Sequence, residues 1–227
     1  MRTKHLIVAL LLIVAIFVTR GFYVVQEVND STETSYHEFE LITEEIAPLK
    51  NIYVAVMASS QIKAAHGLIT SSQFLEIMNG AEAEETMLLE NYAAHVRGKE
   101  TVSDRQLFTE TLQIHSYVDR MQQLAREGNV EAIHATVYSG EMSSVYLPAY
   151  KTLNKISTAK LKTAEECKLR VKQTIHNFET VLKFSGTLIM ILGVLVVKYK
   201  ESTPRPATRA PFAVSKKNKT LKTRAAI

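Results

Sequence analysis

At 227 residues, with 46% hydrophobic side chains, eight glycines, five prolines and no tryptophan, the chain is poor in turn formers and suits long helices better than many short strands. Its single cysteine, Cys167, excludes an intrachain disulfide and a cysteine-based zinc cluster; it reads as an ordinary helix residue, with a disulfide between two copies as the alternative. The formal charge of +4 is segregated: residues 26–183 hold 15 Lys/Arg against 22 Asp/Glu, whereas residues 198–227 hold nine Lys/Arg against one Glu, so the basic balance gives no ground for nucleic-acid binding by the main domain.

The first element is HLIVALLLIVAIFVT (residues 5–19), which carries no full charge and is followed by Arg20 and GFYVV. Taken as residues 5–25, it reaches roughly 30 Å as a helix, enough for a bilayer core if Arg20 snorkels to the interface. A cleaved signal peptide is the rival reading, but Thr19-Arg20-Gly21 is a poor small-x-small cleavage site. The expectation is a transmembrane helix.

Four helical stretches are expected over residues 26–182. In the first, Phe39, Ile42, Ile46, Leu49, Tyr53, Val56 and Ser60 alternate spacings of three and four, and Pro48 should kink or loosen the helix. The second runs over about residues 72–96, capped by Ser71 or Ser72. Its seam is Phe74, Met78, Ala81, Glu85, Leu88, Tyr92 and His95, with Glu85 and His95 as polar interruptions. Gly98 and KETVSD separate it from the third, whose seam is Leu107, Thr111, Ile114, Val118, Met121 and Ala125, flanked by Phe108 and Leu112. Gly128 suits a left-handed helix end and Asn129 an N-cap, so the fourth starts at once and reverses the chain. Tyr138, Met142, Val145, Ala149, Leu153 and Ile156 mark its apolar side, and Pro148 is a second expected kink. The outer stretches are about 65–80 Å long and the inner pair about 37 Å. These lengths give an all-α fold: an antiparallel up-down-up-down four-helix bundle between two transmembrane helices.

The last apolar run, FSGTLIMILGVLVV (residues 184–197), lies between Lys183 and Lys198. Extended by residues 180–182, Tyr199 and snorkelling lysines it suits a span, taken as 183–199; a buried soluble helix is the alternative. Arg2 and Lys4 before the first span, and Lys198, Lys200, Arg205 and Arg209 after the second, place both termini in the cytoplasm. Residues 1–4 are then a cytoplasmic N-terminus, 26–182 a periplasmic or extracellular domain, and 200–227 a basic, disordered cytoplasmic tail. KKNKTLKTR (216–224) suits attraction to anionic membrane lipid or simply enforces topology.

Two segments carry a family resemblance. EEIAPLKNIY (44–53) resembles a first-helix pattern "lxPlrxl", and LAREGNVEAIHATVYSGEMSSVYLPAYKTLNKIS (124–157) resembles a Gly corner followed by a helix with a proline and then "L-x-x-L". Together with the layout over residues 1–200, the chain resembles the four-helix-bundle sensor domain of methyl-accepting chemotaxis receptors. The resemblance implies a membrane-anchored sensory or ligand-binding module in the inner membrane, a homodimer, working with full-length chemoreceptors or a periplasmic protein. The departure lies after the second span, where Pro204, Pro206 and Pro211 interrupt any helix and no cytoplasmic coiled coil follows in this sequence. A non-sensory structural or protein-interaction membrane protein, a receptor remnant, is the competing reading.

No nucleophile-elbow, P-loop, zinc-protease or Rossmann pattern occurs, so no enzyme, no catalytic or metal-ligating set and no cofactor is expected. Counting down from the Gly128 corner brings His66 and His134 to one level, near Lys63, Glu127 and Glu131. Lys63, His66, His134 and Tyr138 are the ligand-binding candidates, a pH- or metal-sensitive cluster unless the histidines are unrelated surface residues.

Overall fold

The computed structural model describes residues 2–202, and every element among them is helical. The order is α1 (Arg2–Leu41), a first π-helical segment (Ile42–Ile46), α2 (Ala47–Asn51), a second π-helical segment (Ile52–Ala58), α3 (Ser59–Ala65), α4 (Ser71–Val96), α5 (Val102–Arg126), α6 (Val130–Tyr138) and α7 (Glu141–Ser202). The described chain divides into two compact units, one from residues 2–17 and 182–202 and one from 18–181. The expected tail, with Pro204, Pro206, Pro211 and the 216–224 basic run, lies outside the described residues.

The first unit is built of the apolar runs. Leu11, Ile16, Phe184 and Met190 are all more than half exposed, and the most apolar windows of the two long helical stretches bury nothing against protein. Both are long and apolar enough to cross a membrane. Water solvates such a surface poorly, whereas a bilayer accepts it at no cost once the helix has satisfied its own backbone. Thr187 follows the same rule, its hydroxyl donating to the Lys183 carbonyl at 2.8 Å.

In the second unit, α1 and α7 run past each other in opposite order. Phe178 lies over Gly21, the Ser35 hydroxyl donates to the Ala164 carbonyl at 3.2 Å, and Lys160 pairs with Glu38 at 2.9 Å. Likewise Tyr92 of α4 meets Asp104 of α5 beside their turn, and Glu82 meets Gln122 farther away. Ile46, Leu49, Tyr53, Met57, Phe74, Met78, Leu107, Ile114, Met121, Ile133, Ala149 and Leu153 form one continuous core. Each large apolar side chain fully buried there contributes about 1.5–3 kcal/mol. Cys167 is free and buried on α7.

The turns follow local chemistry. Gly128 adopts φ +69° and Asn129 caps α6, its side-chain oxygen accepting from the Ala132 N–H at 3.0 Å, as the sequence indicates. The cap of α4 is Thr70, not Ser71 or Ser72. Only Thr70 has a glutamine three residues on, and Thr70 and Gln73 exchange both bonds of a capping box. Thr101 and Asp104 do the same for α5.

Three expectations change. The fourth stretch is not one helix: it breaks at Ser139-Gly140, where Gly140 takes φ +85°, and α7 then continues as a helix through Pro148. Around Pro48 the backbone loosens as expected, but it does so as two flanking π segments, with the Ala47 N–H bonded to the Ile42 carbonyl five residues back, and this moves the seam. Each π segment slips the buried face by a residue. Leu41 and Ile52 are therefore buried, whereas the expected seam residue Phe39 is 57% exposed. His95 closes the α4 seam on paper, but its side chain is 43% exposed and Val96 is the buried residue.

Substituting Gly140→Ala forces a Cβ into a left-handed conformation and should destabilise the chain by about 1 kcal/mol. Chemical denaturation in detergent followed by circular dichroism measures it. An unchanged midpoint would mean that the Ser139-Gly140 break does not need its left-handed geometry.

Candidate functional site

The four residues singled out from sequence do not all converge. His66, the C-cap of α3, and Tyr138, at the end of α6, share a hydrogen bond of 2.6 Å between Nε2 and the phenol oxygen. His134 stacks on Tyr138 at 4.4 Å between ring centroids and lies 6.4 Å from the His66 ring. The three are one cluster on the surface. Lys63 stays outside it: its side chain is exposed, and among the described residues no ion pair joins it to Glu127 or Glu131. The described residues hold no group of three or more His, Cys, Asp or Glu arranged for a metal ion.

A denser polar system lies inside the second unit. Glu85 of α4 is fully buried. Its Oε1 accepts from the Tyr53 hydroxyl at 2.7 Å, and its Oε2 is 3.3 Å from Nε2 of His115 on α5. Thr111 stands 3.4 Å from the same Tyr53 oxygen. Further along, fully buried Gln61 of α3 donates to the Tyr146 hydroxyl at 2.6 Å and accepts from the Tyr117 hydroxyl at 2.9 Å. One amide thus ties α3 to α5 and α7. Burial holds the Glu85 carboxyl above its ordinary range, even though the Tyr53 bond and the His115 charge pull it down. The Tyr53, Tyr117 and Tyr146 phenols are likewise pushed up, mainly by burial, and stay protonated donors.

A second carboxyl–imidazole pair joins the first π segment to α4. Glu45, 5% exposed, has Oε1 2.6 Å from Nδ1 of His95, and the His37 ring meets His95 edge-on at 5.2 Å. Burial raises the Glu45 carboxyl more than His95 lowers it. Nearby, Tyr92 donates to Asp104 at 2.5 Å, which lets one carboxylate both close the core and cap α5.

The inner network approaches the surface at Tyr117. The guanidinium of Arg120 sits over its ring, 5.4 Å from the centroid, and pairs with Glu141 of α7. Together with Thr109, Gln113 and Ser116 they line an open groove of about 500 Å³ between α5 and α7. Its chemistry suits a small polar ligand that competes for Arg120 or Glu141.

Comparisons with family models, curated proteins and solved structures found no match. The residues therefore speak for themselves. Sequence reasoning located the surface ring cluster but missed Gln61, Tyr117 and Tyr146, whose spacing looks like ordinary helix periodicity. The available signal was Glu85 and His95, polar residues on otherwise apolar seams. A polar group at a seam position demands a partner across the interface.

Removing the Tyr53 hydroxyl leaves Glu85 Oε1 without its donor in a dry site. Tyr53→Phe should cost roughly 1–3 kcal/mol of stability, whereas Tyr138→Phe on the surface should stay within about 0.5 kcal/mol. Denaturation of both variants tests the contrast, and equal losses would deny the buried network its structural role.

Proposed function

We propose that the protein is a membrane-anchored sensory module similar to the external domain of methyl-accepting chemotaxis receptors. In this reading residues 26–182 form an antiparallel up-down-up-down four-helix bundle, and the apolar helical ends on either side of it are transmembrane anchors. The observation that carries the reading is the pair of unburied apolar helical segments flanking, along the chain, a helical core of opposed neighbours. Both termini lie in the cytoplasm and the main domain in the periplasm; the excess of Lys and Arg outside the two apolar runs supports this orientation. The module works as a homodimer. In support, Tyr36, Phe39 and Leu161 line an exposed apolar groove where α1 and α7 pack together. Transmission to a full-length receptor or a periplasmic protein then passes laterally.

The structural or interaction reading draws on the open character of the surface, where Leu68, Leu112 and Tyr138 are all well exposed. A panel of small polar ligands separates the two readings: a sensor shows a saturable rise in melting temperature with one class, weakened by Arg120→Ala.

Topology is tested directly. Reporter fusions at residue 100 and after residue 202 should give opposite compartment signals, with the internal fusion outside the cytoplasm. The same signal at both positions would remove the two-span arrangement and with it the sensory reading.

A further inference from the structure

We infer that the contact between the π-interrupted stretch and α4–α5 is a proton-operated clasp: two buried carboxyls with partly exposed imidazole partners, Glu45 with His95 and Glu85 with His115, hold it closed while each pair carries a proton and loosen it when that proton is lost.

The two pairs are built alike but meet differently: His95 faces Oε1 of Glu45 at 2.6 Å, whereas His115 faces Oε2 of Glu85 at 3.3 Å. Each carboxyl side chain is at most 7% exposed, and each imidazole partner is partly open, at 43% for His95 and 32% for His115. In each carboxyl one oxygen, Oε2, has no hydrogen-bond donor, and His115 Nε2 is likewise unpartnered although it faces Glu85 Oε2 at 3.3 Å. One proton on either member makes each pair neutral or an internal ion pair, and in the Glu85 pair it also supplies the missing donor between His115 Nε2 and Oε2. Without it, a bare carboxylate charge remains in the core, the costliest state for a buried acid. The half-open imidazoles give that proton a path to solvent without opening the core.

The surroundings leave the imidazoles as the nearest basic groups to the two carboxyls. Glu45 is faced by His37 of α1, by Glu44 on its own segment, and by His95 and Tyr92 of α4, with the Tyr92 hydroxyl already given to Asp104 of α5. Glu38 is also close to Tyr92 but is paired with Lys160 of α7. Glu85 is faced by Tyr53, by Glu82 on its own helix, by Thr111 and His115 of α5, and by Tyr146 of α7. Among the described residues no lysine or arginine pairs with either carboxyl.

The sign follows. Burial raises both carboxyls above their unfolded values. A group shifted that way contributes its full stability below the unfolded pKa, about 4.3 for Glu, and loses it as pH rises through the folded one. The clasp is therefore tight in acid and slack as pH climbs above the ordinary carboxyl range. The Glu45 pair joins the first π segment to α4, and the Glu85 pair joins α4 to α5 while Glu85 accepts from Tyr53 of the second π segment, so both act on one interface. The stimulus is proton activity, and the inference does not rest on the sensory reading.

The test uses the full chain in lipid nanodiscs. Thermal unfolding is followed between about pH 5 and pH 8, alongside infrared carboxyl bands and the nitrogen shifts of His95 and His115. The wild type should melt lower by at least about 2–4 °C at the upper end. The double variant Glu45→Gln/Glu85→Gln should lose most of that slope and melt above wild type at the upper pH. Parallel slopes in the two proteins, or a wild-type melting temperature that rises with pH, would overturn the clasp. If the variant does not fold, the wild-type spectra decide: protons leaving Glu45/His95 and Glu85/His115 within the interval support it, and no titration of either pair there refutes it.

Discussion

A carboxyl group with no access to water has to be answered by whatever packs around it, and Glu85 imposes that demand on the helical core. Tyr53 answers from the second π segment, and His115 stands opposite from α5. Aliphatic residues at these positions would pack without such matching, since hydrophobic contact is indifferent to register. The polar arrangement is selective: sliding α4 by one turn would strand an acid, a phenol and an imidazole at once. Gln61 makes the same demand on α3, with its amide engaged by two phenols from two other helices. The core therefore trades some stability for a unique alignment of its helices.

The two units differ in what they bury. Within residues 18–181, Leu49, Tyr53, Phe74, Leu107 and their neighbours form a continuous buried core. Among residues 2–17 and 182–202, bulky aliphatic and aromatic groups face outward. The same outward Leu and Phe that water penalises are neutral in hydrocarbon, and both helices are long and apolar enough to cross a membrane. The chain alone thus describes two chemical environments, and the sensory proposal assigns them to a lipid phase and an aqueous compartment.

Much of the fold was legible because helix ends and seams obey local rules. Leu107, Ile114, Val118 and Met121 are buried where a three-four spacing puts them, and Gly128-Asn129 turns the chain as its residue types require. Phe39 was misplaced because a seam read at constant period cannot see a change of backbone hydrogen bonding, and nothing in ITEEI or IYVAVMA announces one except the nearby proline. The Gly140 break was passed over because α6 and α7 share apolar character across it. The surface cluster of His66, His134 and Tyr138 was reachable by counting turns from the corner, whereas Lys63, placed by the same count, projects elsewhere. The buried pairs were only half visible: Glu85 and His95 stood out as anomalies, but their partners His115 and Glu45 lie on other helices, and only the packing introduces them.

The π segments have an effect on reading frame. An α-helix advances about 100° per residue, so one extra residue held in a wide turn rotates everything after it by that amount relative to what precedes it. Two such turns lie between Leu41 and Ser59. The half of this stretch that adjoins α1 and the half that carries Gln61 are consequently out of phase by roughly 200° compared with an uninterrupted helix. A single-residue deletion or insertion elsewhere in a packed helix scrambles its buried face. Within residues 42–58, a deletion has somewhere to go: a wide turn can relax to a regular one and absorb the loss locally. This stretch is therefore where the chain can change length and leave the faces on both sides intact.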